Sequence, residues 1–174
     1  MPAPILTRAA ELAPLLPEGA PLIGLDHGTR MIGVAVSDSR RSIASPLTTL
    51  RRSRRLTPDL QAIEALAAAR GAAAFVLGLP RNMDGSEGAR CDSVRSFARS
   101  LARVSPRPIL LWDERLSTVA AHAVLDATDA RADRRRRLVD RLAAAHILAD
   151  ALEALRRGAP DGSPERARGG TGSE

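Results

Sequence analysis

Three carboxylates in this 174-residue chain stand where the sequence makes a carboxylate expensive. Asp26 ends the apolar run Leu22-Ile-Gly-Leu-Asp26 and is followed at once by the glycine turn His27-Gly28-Thr29-Arg30. An acid at the end of a buried strand loses hydration unless something compensates, and a bound metal ion is one compensator. The competing reading is an Asp that caps its own turn, with Gly28 supplying the turn conformation. Asp113 and Glu114 follow a second apolar run, Pro108 to Trp112. Successive strand residues face opposite ways, so only one of the pair can enter a shared site. Glu114 is the candidate ligand, and Asp113 is expected to bond a neighbouring backbone or arginine; Glu114 paired with Arg115 at the surface is the alternative. Asp140 belongs to the helical pattern Leu138 to Asp150 but lies off its polar stripe of His146, Asp150 and Glu153. At 100° per residue it falls among Ala144, Ile147 and Ala151. A carboxylate there needs water in a cleft, a cation or a metal, unless that face looks outward near the helix start, where acids are favoured.

A fourth segment offers phosphate contacts. Val76-Leu-Gly78-Leu-Pro80 leaves the core and enters the polar glycine turn Arg81-Asn82-Met83-Asp84-Gly85-Ser86-Glu87-Gly88 ahead of a helix. Helix N-terminal N–H groups can hold a phosphate. Arg81, Asn82 and Ser86 are candidate contacts, with Arg30 and Arg115 beside the acids. An ordinary strand-to-helix loop built on Asp84-Gly85 would read the same way. The chain has no His-x-x-His spacing for zinc and no Gly-x-Ser-x-Gly elbow for a serine nucleophile. The Asp-x-Gly-Thr turn also opens actin-like phosphotransferases, but those use a second glycine-rich phosphate loop, and none occurs here.

All 26 basic residues are arginine, and the formal net charge is +6. Arginine's planar fork suits phosphates, although a GC-rich genome raises arginine whatever the function. The clusters are Arg40-Arg41, Arg51 to Arg55, and Arg134 to Arg137 with Arg141. They can supply a sequence-independent phosphate footprint. The sequence holds no apolar run near the ~20 residues that span a bilayer, so no membrane partner is expected. The single Cys91 cannot form an internal disulfide and fits a reducing cytoplasm.

These residues must be positioned by a regular scaffold. Residues 22–26, 31–37 and 43–50 read as three short strands in an antiparallel meander, with Pro46 placing the third at an edge. Then come a helix over 58–70, a strand over 73–78, a helix over 88–103, a strand over 108–112, and helices over 117–127 and 138–156. Alternation in the second half implies parallel strands with crossover helices. The expected fold is α/β: a mixed sheet, three antiparallel strands then parallel ones, with helices on both faces. Residues 1–20 read as an N-terminal extension, with a helical turn or two around 7–16. Residues 21–157 form the domain, and the Gly/Pro-rich 158–174 read as a disordered tail.

Four segments, GLDHGTRMIGVAVSD (24–38), GLPRNMDGSEG (78–88), DERLST (113–118) and VDRLAAAHIL (139–148), stand in the right order and spacing to resemble the YqgF family. These are RNase H-like proteins described both as pre-16S rRNA nucleases and as Holliday-junction resolvases. The resemblance implies an RNase H-like sheet and a catalytic, metal-binding centre of Asp26, Glu114 and Asp140 holding Mg²⁺ or Mn²⁺, with two ions the usual arrangement and Asp26 shared between them. It implies hydrolysis of phosphodiesters in structured RNA (pre-rRNA) or branched DNA by a monomer or weak dimer. A nucleic-acid-binding module without catalysis is the reading from a different class. Two departures stand out. Met31 occupies a place where the family commonly has a basic residue. Ala143 stands one helical turn from Asp140, where related resolvases carry a second acid.

Overall fold

The computed structural model of the chain describes residues 1–116 and 129–158. The expected helix over 117–127 and nearly all of the expected tail fall outside those residues.

Among the described residues, six strands form one mixed sheet in the order β1-β6-β5-β2-β3-β4. β2 (Leu22–His27), β3 (Met31–Ser37) and β4 (Ala44–Arg51) make the antiparallel meander. β5 (Ala74–Leu79) and β6 (Ile109–Asp113) extend it in parallel from β2. β4 is one edge strand. There Pro46 lies opposite Ala35, beside a register shift between Val34 and Ala35, where a missing N–H donor is tolerated.

The strand faces sort by parity. Ile23, Leu25, Ile32, Val34, Phe75, Leu77, Ile109 and Leu111 pack beneath α2 (Leu56–Arg70) and α3 (Ala89–Val104). Leu22, Ala35, Ala74, Val76 and Leu110 pack beneath α4 (Asp129–Gly158). Helices therefore cover both faces, as the alternation of elements predicts. Every residue of β5 is buried, as a strand covered on both sides requires. Gly71 ends α2 in the left-handed region at φ +62°, where its N–H closes the last turn.

Two boundaries differ from the sequence expectation. α4 begins at Asp129 rather than near 138. Its first two turns are arginine-rich and lack apolar periodicity. Arginine nonetheless propagates a helix well, and Asp133 pairs with Arg137 at 3.0 Å one turn on. The first twenty residues, expected as an extension, supply a sheet edge. β1 (Ile5–Leu6) pairs in parallel with β6. The single-turn helix α1 (Ala9–Leu12) continues into a 3₁₀ turn over Ala13–Leu15. Leu12 is fully buried in the cluster shared with α4. Arg41 fastens this segment: its guanidinium donates to the carbonyls of Pro17 and Ala20 at 2.9 and 2.8 Å.

Candidate active site

Asp26 lies on the central strand β2, on the same face as Gly24 and toward α4. Its register partner on β3 is Gly33. A Cβ on Gly33 would stand 2.0 Å from the carbonyl oxygen of Asp140, and one on Gly24 would stand 2.7 Å from the Cβ of Leu148. The two glycines are the seat on which α4 rests, and they bring Asp140 down beside Asp26. Around Asp140 the helix is buried at Ala144, Ile147 and Ala151, the face assigned from helical spacing. Glu114 opens a 3₁₀ turn directly after β6. Its Oε1 occupies the space over Gly78, 2.4 Å from where a Cβ would sit. β5 thus makes room for the carboxylate by lacking a side chain there.

Asp113 turns the other way, as strand alternation requires. It accepts hydrogen bonds from the Arg115 backbone N–H at 3.0 Å and the Arg115 guanidinium at 2.7 Å, and Arg81 lies 4.0 Å away. Arg115, not Glu114, is therefore the neighbour that Asp113 holds.

Asp26 feels both of the other acids. Burial, then the charges of Glu114 and Asp140, push the Asp26 carboxyl up to about 7, against a smaller opposing effect of Arg90. Burial also raises Glu114, with Arg90 opposing and Asp113 assisting. Burial raises Asp140, with Arg136 opposing. Asp26 is the deepest of the three and takes the mutual repulsion. Beneath it, on the opposite face of β2, the His27 ring lies 4.5 Å from that of Phe97. Burial and then the charge of Arg52 lower His27 to about 4, so it is neutral at physiological pH.

Arginines surround the acids. A cleft of roughly 620 Å³ is lined by Gly28, Thr29, Arg30, Met31, Arg90, Arg136 and Asp140. It continues through Arg30 and Arg136 into a second cleft that adds Arg51, Arg52 and Arg54. On the other side a cleft of roughly 470 Å³ contains Arg81, Asn82, Arg90, Glu114 and Arg115.

A sequence profile described as "RuvX: Holliday junction resolvase" matches residues 20–154. The chain belongs to the RuvX family. Among its relatives, a protein of Rhodospirillum rubrum named "Putative pre-16S rRNA nuclease" is 53% identical over 86% of this chain and 92% of its own length. One of Paracoccus denitrificans with the same name is 52% identical over 87% and 96%. In fold the chain is similar to a T. thermophilus RuvC solved in complex with a Holliday junction substrate. The TM-score is 0.53 at 16% identity, over 80% of this chain and 97% of that one. The RNase H-like sheet implied by the four segments is thereby the fold of this RuvX-family chain.

The contacts expected from sequence divide by what already holds them. Arg30 is exposed and lines two clefts. Asn82 lines the Glu114 cleft but donates through Nδ2 to Ser86 Oγ at 2.9 Å. Ser86 donates through its N–H and hydroxyl to Asp84 at 2.8 and 2.5 Å, so it shapes the loop. Arg81 pairs with Glu87 at 3.3 Å. Arg115 braces the same loop: its Nη1 lies 3.2 Å from the Cβ position of Gly85, a residue at φ +87°. Met31 and Arg136 line the same cleft, so Arg136 supplies positive charge beside Met31. Arg90 and the individual part of Arg136 were not legible in the sequence. The one available signal was a basic residue in the first turn of α3, where the helix dipole disfavours it.

The donor set fits a hard divalent cation. It consists of carboxylate oxygens, and the raised Asp26 marks a place where negative charge lacks compensation. Among the described residues no three His, Cys, Asp or Glu side chains stand close enough together to hold a metal ion by themselves. Mg²⁺ keeps several waters and is commonly held by one or two carboxylates together with substrate phosphates. An open arrangement of acids facing a cleft agrees with that mode better than with a sealed protein cage.

Proposed function

We propose that this chain is a metal-dependent nuclease that hydrolyses phosphodiesters in pre-16S rRNA, processing its 5′ end during ribosome biogenesis. The observation that carries the reading is the convergence of Asp26, Glu114 and Asp140 at one end of the sheet, flanked by arginine-lined clefts. Asp26, Glu114 and Asp140 would hold Mg²⁺ or Mn²⁺. Such an ion supplies an activated water at neutral pH and charge stabilisation at the leaving oxygen.

The remaining work falls to the protein's own groups. The arginines on either side neutralise the sugar-phosphate chain and draw it over the acids against their repulsion. Gly33 seats Asp140 through backbone contact with α4, and Gly78 leaves the space that the Glu114 carboxylate occupies. The Asp113–Arg115 pair anchors the loop that borders the Glu114 cleft.

Branched DNA is the second substrate, favoured by the profile's description and by the fold shared with RuvC. Against it, Ala143 stands where related resolvases carry a second acid. Incubating the protein with Mg²⁺ or Mn²⁺ and either a pre-16S rRNA fragment or a four-way DNA junction separates the two. Faster, site-selective cutting of the RNA is expected. Cutting of the junction alone would transfer the protein to DNA processing, and cutting of neither would leave a binding module.

A further inference from the structure

We propose that Arg90 is a catalytic residue: its guanidinium grips the non-bridging oxygens of the scissile phosphate. The proposal rests on the nuclease reading and adds to it a residue that the acidic centre does not include.

Arg90 is the second residue of α3, a sixteen-residue helix. A cation there opposes the positive end of the helix dipole, so its position is not explained by helix stability. Its side chain lines the cleft that holds Asp140, the cleft that holds Glu114, and a small one beside His27. Of the arginines around the centre it alone borders both acid-bearing clefts. Its charge reaches Asp26 and Glu114. Yet among the described residues no carboxylate oxygen lies within 4 Å of it, whereas Arg81, Arg95 and Arg115 are all engaged by acids.

A structural counter-ion would close onto one of these carboxylates. Arg90 instead stands across from them, with space between. The chemistry that fits this gap is an anion meeting the guanidinium on one side and facing, on the other, the acids that would hold the cations. A phosphodiester has that form. Arginine presents paired N–H donors to two phosphate oxygens and does not give up its proton. Arg90 therefore orients the phosphate and offsets the charge that builds on it, while proton transfer is left to water and the acids.

The test combines turnover and salt dependence, with Arg103→Ala as control. Arg103 is exposed at the far end of the same helix, ~20 Å away by the rise of an α-helix. Melting temperatures confirm folding, and Arg90→Gln replaces Arg90→Ala should the latter fail to fold. With the pre-rRNA fragment and the four-way junction at saturating concentration, Arg90→Ala should lower kcat about 100-fold, the usual loss for one transition-state donor. Arg90→Lys should recover only part of it. Binding is read with a fluorescein-labelled four-way junction in an Asp26→Asn background, where cleavage is blocked. There Arg90→Ala should reduce the slope of log affinity against log salt by about 0.9, one phosphate contact on a duplex. Arg103→Ala should leave kcat unchanged. Parental kcat in Arg90→Ala overturns the proposal, and so does a fall in kcat with an unchanged salt slope, which marks a structural role. Should the parent protein cut neither substrate, the nuclease reading falls, and the salt slope alone then decides whether Arg90 meets a phosphate.

Discussion

Gly33 and Asp140 touch through backbone: a Cβ on the glycine would lie 2.0 Å from the aspartate's carbonyl oxygen. Gly33 is also the register partner of Asp26. One missing methyl group on β3 therefore sets the distance between two acids of the centre that are more than a hundred residues apart in sequence.

Gly33→Ala should consequently damage both fold and function. The obstructing atom is a helix carbonyl, which cannot rotate away, so α4 must lift. Overpacking of this kind costs about 1–3 kcal/mol or more. Denaturant unfolding is expected to show a loss in that range, together with near-complete loss of metal-dependent cleavage. Parental stability would mean that α4 is free to slide.

Gly78→Ala makes the contrasting case. The added methyl would meet Glu114 Oε1 at 2.4 Å and Ile147 Cδ1 at 2.6 Å, both the ends of side chains that can swing aside. The stability cost should be small, ~1 kcal/mol or less. The Glu114 carboxylate, however, is pushed from its place, and cleavage should fall about 100-fold or more. Comparing melting temperature with rate in the same preparation checks the split. A variant that cuts at the parental rate would show that Glu114 need not sit over Gly78.

The acidic centre should also write itself into the pH dependence of stability. Asp26 is raised from 3.8 to about 7 in the metal-free fold, so between those values the folded state binds more protons than the unfolded chain. Stability must then fall as pH rises through that window. At ~1.4 kcal/mol per pH unit the loss from this group is up to about 4 kcal/mol. Urea titrations of metal-free protein at pH 4, 5.5 and 7 should show the decline relative to Asp26→Asn, which lacks the titrating group. Added Mg²⁺ or Mn²⁺ should restore stability at pH 7. A flat difference between parent and variant would mean that Asp26 is already ionised at pH 4.

Much of this was readable from residue order. Apolar runs and turn glycines located five of the six strands. Strand parity separated Glu114 from Asp113, and helical spacing placed Asp140 on the buried face of α4. β1 escaped because two residues, Ile5 and Leu6, carry no periodicity, and their strand character comes only from pairing with β6. The start of α4 escaped because exposed arginines sustain a helix without leaving an apolar stripe. Arg90 escaped for a further reason: a basic residue at a helix start is its one local mark among 26 arginines, and its place beside both acid-bearing clefts exists only once β2, β6, α3 and α4 are assembled.

The sharpest discrimination lies among the acids themselves. Asp26→Asn is nearly isosteric and should keep the fold. It removes the carboxylate that the charges of Glu114 and Asp140 both reach, and on the metal-nuclease reading the rate should drop about a thousandfold or more. It also removes a charge that repels the phosphate chain, so nucleic-acid affinity should be equal or tighter. Glu114→Gln should behave similarly in rate. Asp113→Asn should do much less, because Asp113 faces away and serves Arg115 and Arg81. Its loss loosens the loop bordering the Glu114 cleft, which predicts a higher KM with kcat within about tenfold of the parent. Steady-state kinetics on the pre-rRNA fragment and the four-way junction, with filter binding alongside, measures all of these effects. Parental cleavage by Asp26→Asn would end the metal-nuclease reading. A dead Asp113→Asn beside an active Glu114→Gln would mean that the end of β6 presents the opposite acid to the substrate.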